Sequence, residues 1–119
     1  MRRLESIQSL SPLQEGMLFH AAAGGSPGEH FVQFVFMLEG VDPARLRQAL
    51  EEAVAAHPAL RSGFSWETVG KPVAVVMSGV SLPWAEEDWR GRGAGALEAY
   101  LEADRSRGFE LTRPPLMRA

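Results

Sequence analysis

Cysteine is missing from this 119-residue chain. That one absence excludes a disulfide scaffold, a zinc-thiolate site and a thiol nucleophile. A surplus of positive charge is missing as well. Twelve Lys and Arg stand against 15 Asp and Glu, a formal net charge of -3. Nucleic-acid binders ordinarily carry a clearly basic footprint, so that class is set aside. Long apolar runs are lacking too. Phe34 to Leu38 and Val73 to Met77 fall far short of a bilayer span. Arg2 and Arg3 give way at once to Glu5, Ser6 and Gln8, which is not the pattern of a secretory signal. The expected compartment is the cytoplasm, with no membrane and no nucleic-acid partner.

What is present reads as one globular domain. Hydrophobic residues make up 45% and charged residues 23%, too apolar and too weakly charged for disorder. A chain of this length has room for a single domain with a real core. No repeat or low-complexity tract interrupts it, and the nearest thing to a linker is the stretch Gly24 to Gly28.

Helix and strand signals follow one another along the chain. Ser11-Pro12-Leu13-Gln14 is a capping-box pattern with Pro at the first helical position, and it predicts a helix over 12–23. Leu13, Met17, Leu18 and Ala21 would form its apolar face, and Gly24 its stop. Phe31 to Leu38, rich in aromatic and β-branched residues, predicts a strand with both faces mostly covered. Asp42-Pro43 opens a second helix with Leu46, Ala49, Leu50, Ala53 and Val54 as its stripe. Pro58 stops it near His57. Strands are expected over 60–66 and 72–78, joined across Glu67 to Lys71 as a hairpin-like unit. A third helix is expected over about 94–107, closed by Gly108, with Leu97, Tyr100, Leu101 and Asp104 at neighbouring positions. After Pro114-Pro115, Leu116 to Ala119 reads as a strand just beginning, whose unpaired edge would invite another chain. This order implies an α/β sandwich with a mixed sheet that is incomplete.

The residues alone show no catalytic constellation. His20, His30 and His57 have no metal-ligand spacing, and a solvated or capping role explains each one. His57 precedes Pro58 at a helix end, where a cation suits the dipole. Ser11, Ser62 and Ser65 are hydroxyls without a nucleophile elbow, and Ser11 is better read as a helix cap. Glu86, Glu87 and Asp88 form a run of the solvated kind. Gly91, Gly93 and Gly95 follow no strand and match no phosphate loop. Arg61 stands out because it sits in the apolar run Ala59 to Phe64. A buried guanidinium would need a carboxylate partner, since leaving one unpaired costs roughly 3–5 kcal/mol. Strand alternation, with Leu60, Ser62 and Phe64 on the opposite face, equally allows a solvated Arg61.

Three segments carry a family resemblance. Ser11-Pro12-Leu13-Gln14-Glu15-Gly16-Met17-Leu18-Phe19-His20 closely resembles the opening motif of nonribosomal peptide synthetase condensation domains. Ala56-His57-Pro58-Ala59-Leu60-Arg61-Ser62-Gly63-Phe64 resembles their second motif, Arg-His-Glu-x-Leu-Arg-Thr-x-Phe. It departs from that pattern at Ala56, Pro58 and Ser62. Arg107 to Leu111 with Pro114-Pro115-Leu116 is similar to the stretch that leads into the family's catalytic motif. The likeness runs in order over nearly the whole chain.

The resemblance implies a chloramphenicol acetyltransferase-like N-terminal lobe, a two-layer sandwich, with residues 1–10 as a lead-in and 11–119 as the lobe. It implies amide-bond formation, in which an acceptor aminoacyl thioester attacks a donor peptidyl thioester. Both substrates would ride on phosphopantetheine arms of carrier proteins, with no metal and no cofactor bound directly. The partners implied are those carrier proteins, a C-terminal lobe and neighbouring synthetase domains. The catalytic His-His-x-x-x-Asp-Gly motif is expected beyond residue 119, so no catalytic residue is assigned here and the segment alone would be inactive. Arg61 is expected to support the site by bridging that motif's Asp, with Ser11, Gln14, His57 and Phe64 as structural motif positions. The opening motif is more similar to the subtype whose donors end in a D-residue. The alternative is a non-catalytic carrier-docking or assembly module on the same lobe. A free-standing acyltransferase would need the catalytic motif that is missing here.

Overall fold

A computed structural model describes residues 2–22, 24, 30–66 and 71–119. The order of elements is β1 (Arg3–Ser9), α1 (Pro12–Ala22), α2 (Pro43–Ala56), a 3-10 turn (Pro58–Arg61), β2 (Ser62–Ser65), β3 (Val73–Ser78) and α3 (Ala96–Arg107).

Local signals place the helices well. Ser11 and Gln14 form the reciprocal capping pair: the Ser11 N–H donates to Gln14 Oε1 at 2.9 Å, and the Gln14 N–H donates to Ser11 Oγ at 3.2 Å. Asp42 caps α2 by accepting from the Ala44 N–H at 3.0 Å. Gly95 and Gly108 bracket α3 with positive φ, which glycine tolerates without strain.

The strands depart further from expectation. Residues 3–9, read only as a lead-in, form an edge strand of a three-stranded sheet ordered β1-β3-β2. Both pairings are antiparallel, so the mixed sheet expected from the sequence is not what the described strands build. The strand expected from Leu60 begins only at Ser62. Pro58, with fixed φ and no N–H, starts a tight 3-10 turn that takes up Leu60 and Arg61 instead. The β2–β3 pairing agrees with the hairpin-like reading, although its connection at 67–70 lies outside the described residues.

Phe31 to Leu38 is the main correction. The segment is in no strand, and Phe34 (78%), Phe36 (73%) and Met37 (93%) are solvent-exposed rather than covered. Aromatic and β-branched composition favours an extended backbone, but a strand needs a neighbour to complete its ladder. Among the described residues, the contacts that hold the segment lie at its start. Phe31 stacks on Phe109 at 5.4 Å, and the Gln33 amide donates to Leu101 O at 2.9 Å and Asp104 Oδ2 at 3.1 Å. The tail is likewise not a strand, yet Ala119 is not left bare. Its N–H donates to Pro83 O at 3.0 Å, and its carbonyl accepts from the Ala85 N–H at 2.9 Å.

Leu10, Leu18 and Ala74 form one core cluster with Phe64, Trp66 and Leu111 packed against it, and Val54, Val73, Val76 and Leu82 are buried as well. Of the stripe expected on α2, Val54 is buried, Leu50 and Ala53 are half-buried, and Leu46 and Ala49 are exposed. The accessible surface is 8899 Å², against roughly 6,300 Å² for a compact monomer of this mass. The radius of gyration is 16.4 Å, where about 13.5 Å is usual for this length. Much apolar surface therefore lacks cover.

Two features of the packing make predictions. Gly63 is buried on β2 against the turn that carries Pro114, and an added Cβ would lie 2.9 Å from Pro114 Cδ and 3.1 Å from Leu111 O. Neither atom can swing away, so Gly63→Ala is expected to cost about 1–3 kcal/mol, read from the urea midpoint. A variant as stable as the parent would show that the turn yields freely.

Asp104 makes the second. Burial alone would raise its pKa, but hydrogen bonds from Arg118 and Gln33, with the charges of Arg118 and Arg107, outweigh burial and hold it below the usual carboxylate range. A carboxyl depressed in the fold stabilises it above the unfolded value of about 3.9 and loses that contribution as pH falls through the folded value. Acid unfolding is therefore expected to steepen below about pH 4. Asp104→Asn should flatten that limb, and an unchanged acid profile would refute the assignment.

Candidate functional site

Arg61 is the one buried charged residue among those described, at 7% exposure. The 3-10 turn that follows α2 swings its side chain inward, where three elements meet it. Nε donates to Val54 O at the end of α2 at 3.0 Å. Nη1 donates to Met77 O on β3 at 3.0 Å and to the Glu5 carboxylate on β1. Nη2 has no partner among the described residues. The solvated alternative for Arg61 is thus removed. The carboxylate it meets inside this chain is Glu5, whereas the sequence points only to a partner beyond residue 119.

The other motif positions have local structural roles and form no reaction centre among the described residues. His57 caps α2 through its backbone N–H, which donates to Ala53 O at 3.0 Å, and its side chain is exposed. Phe64 is half-buried against the core, and its N–H donates to Leu111 O at 2.8 Å. Ser11 and Gln14 are engaged with each other at the head of α1. Ser62 Oγ donates to Pro58 O at 2.9 Å. His20 and His30 meet edge to face at 6.0 Å beside an open groove of about 470 Å³ lined by Pro12, Leu13, Gly16 and Met17.

Glu86, Glu87 and Asp88 behave as a solvated run. Asp88 binds Arg90 at 2.6 Å, and the hydrogen bonds from Arg90 lower its pKa. Among the described residues no cluster of three His, Asp or Glu side chains could hold a metal ion. No helix there is long and apolar enough to cross a membrane. The arrangement offers a fixed, oriented guanidinium and a capped helix, which are supporting parts.

Comparison with known proteins gives these parts a context. The family description "Condensation domain" matches residues 4–119. The chain belongs to the condensation-domain family. A linear gramicidin synthase polypeptide of Brevibacillus parabrevis is 42% identical over 121 residues, covering 98% of this chain and 2% of that protein. Bacitracin synthase 3 of Bacillus licheniformis is 37% identical over 120 residues, again with 98% and 2% covered. This condensation-domain segment therefore spans about 2% of the length of the curated relatives it matches. A holo four-domain nonribosomal peptide synthetase crystallised with AMP and glycine shares the fold. Its TM-score is 0.74 at 20% identity, over 99% of this chain and 9% of that one.

Sequence reasoning misses Glu5 and the Arg118–Asp104 pair. Glu5 lies 56 residues from Arg61, and nothing local marks it. In the sequence Asp104 stands out only as a neighbour of an apolar helix face, and Arg118 only as part of a nascent strand.

Proposed function

We propose that this segment serves as the N-terminal part of a condensation domain that joins a donor peptidyl thioester to an acceptor aminoacyl thioester through an amide bond. The observation that carries the reading is the family match over residues 4–119, with Arg61 of the second motif buried and oriented by three elements. The uncovered apolar stretch 34–38 supports it, because a chloramphenicol acetyltransferase-like lobe would supply the missing neighbours.

The chemistry suits such a scaffold. A thioester is already activated, so holding two tethered reactants in line supplies much of the rate. The attacking α-amine titrates at about 7.7–8.0, so little base strength is needed to keep enough of it neutral. Substrates would arrive on the phosphopantetheine arms of carrier proteins in the cytoplasm, and the catalytic His would come from sequence outside these residues. Arg61 would bridge the Asp of that catalytic motif. The wording of the opening motif favours donors that end in a D-residue.

The test is a complete condensation domain carrying this segment, given holo carrier proteins loaded with D-ending and L-ending donors, with products read by intact-mass spectrometry. The expected result is amide product, faster from the D-ending donor. Saturable carrier binding with no amide from any donor would overturn the reading in favour of a docking module.

A further inference from the structure

Glu5 is where the β1–β3 register breaks. Leu4 pairs with Met77 and Ser6 with Val76, which leaves Glu5 as the extra residue of a bulge. A bulge re-aims the side chain it carries, and bulges gather next to functional sites. Here the re-aimed side chain is the Glu5 carboxylate, and it lands on Nη1 of Arg61. The Glu5 side chain is 46% exposed while that of Arg61 is 9% exposed. Core packing therefore does not explain why Glu5 points inward.

We propose that Glu5 is a positioning residue of the condensation reaction, acting through Arg61. This rests on the function proposed above. The carbonyls of Val54 and Met77 supply direction for the guanidinium but no charge. Glu5 supplies the charge and the third point of fixation, which together define the plane of the group. With Nε and Nη1 engaged, the Nη2 edge is left to meet a second carboxylate at a set angle. Arginine suits this task because its planar fork binds on two edges at once.

The experiment uses the complete condensation domain with loaded carrier proteins and compares wild type, E5Q, E5D, R61K and the double variant E5Q/R61K. Expected for E5Q is a fall in kcat of about tenfold or more, with KM for the loaded carrier within about twofold. Its melting temperature should stay close to wild type, because glutamine keeps an acceptor at a half-exposed position. E5D, which restores the charge but shortens the reach, should lie between E5Q and wild type. On the R61K background the E5Q change should have little further effect, the signature of a residue acting through its neighbour.

If E5Q is too unstable to assay, E5D carries the same test through its own kcat and KM. An active domain impaired by R61K but indifferent to E5Q or E5D overturns this proposal alone. So does a Glu5 effect that is undiminished on the R61K background. A domain that forms no amide in any variant overturns the underlying function as well.

Discussion

Arg118→Ala is expected to lower the stability of the chain by roughly 1.5–3 kcal/mol, the range for hydrogen bonds to a charged group that is only partly buried. Arg118 and Asp104 expose only 13% and 20% of their side chains, and Nε donates to Asp104 Oδ1 at 2.6 Å. Nη1 donates to Gly108 O and Nη2 to Asp104 O, each at 2.7 Å. The guanidinium also lies 4.3 Å from the Phe109 ring centroid and 5.5 Å from that of Phe31. Removing it leaves Asp104 with Gln33 and the more distant Arg107, takes a donor from two carbonyls and uncovers the stacked Phe31 and Phe109 rings. It also loosens the anchorage of residues 31–33 on α3, so the 31–38 segment should become more sensitive to protease. Arg118→Lys should recover little, because a point charge cannot serve three acceptors and two ring faces. Urea unfolding decides the matter, and an Arg118→Ala loss below about 1 kcal/mol would sink the idea of a clamp.

Arg61→Ala should be the other large loss, on the order of 3 kcal/mol, for a different reason. Its carboxylate partner is half-exposed and can return to water, so little uncompensated charge remains. The cost lies in the carbonyls of Val54 and Met77, two acceptors left without their donor at about 1–3 kcal/mol each when water cannot reach them. Those carbonyls belong to α2 and β3, so the loss should loosen the junction of helix and sheet. Hydrogen exchange should report faster opening of β3 and of the last turn of α2. Arg61→Lys, which keeps a charge and can reach one or two of the acceptors, is expected to fall between. Wild-type exchange in the Arg61→Ala variant would show that Arg61 does not hold these elements together.

The two arginines divide the molecule between them. Arg61 ties α2, β1 and β3 together, and Arg118 ties α3 to the tail and to the start of the extended segment. Between these anchors the hydrophobic core is small, and the surface is larger than a compact chain of this mass would show. The apolar residues at 34–38 stay exposed outside both anchors.

The sequence by itself determined the helices, their caps and the family. Ser11 and Gln14, Asp42 and Ala44, Pro58 and Gly108 act on residues two to four positions away, so their effects are legible without the rest of the chain. The motifs around Ser11 to His20 and Ala56 to Phe64 are contiguous, and contiguous text is what a family resemblance reads. Tertiary structure alone decided that residues 3–9 are a strand and that 31–38 is not, because a ladder exists only where another strand comes alongside. It also decided that Arg61 is buried and paired with Glu5, and that Arg118 closes on Asp104. Those pairings join positions 56 and 14 residues apart. Nothing along the backbone encodes such a meeting until the sheet register and the turn at Pro58 bring the charges to the same place.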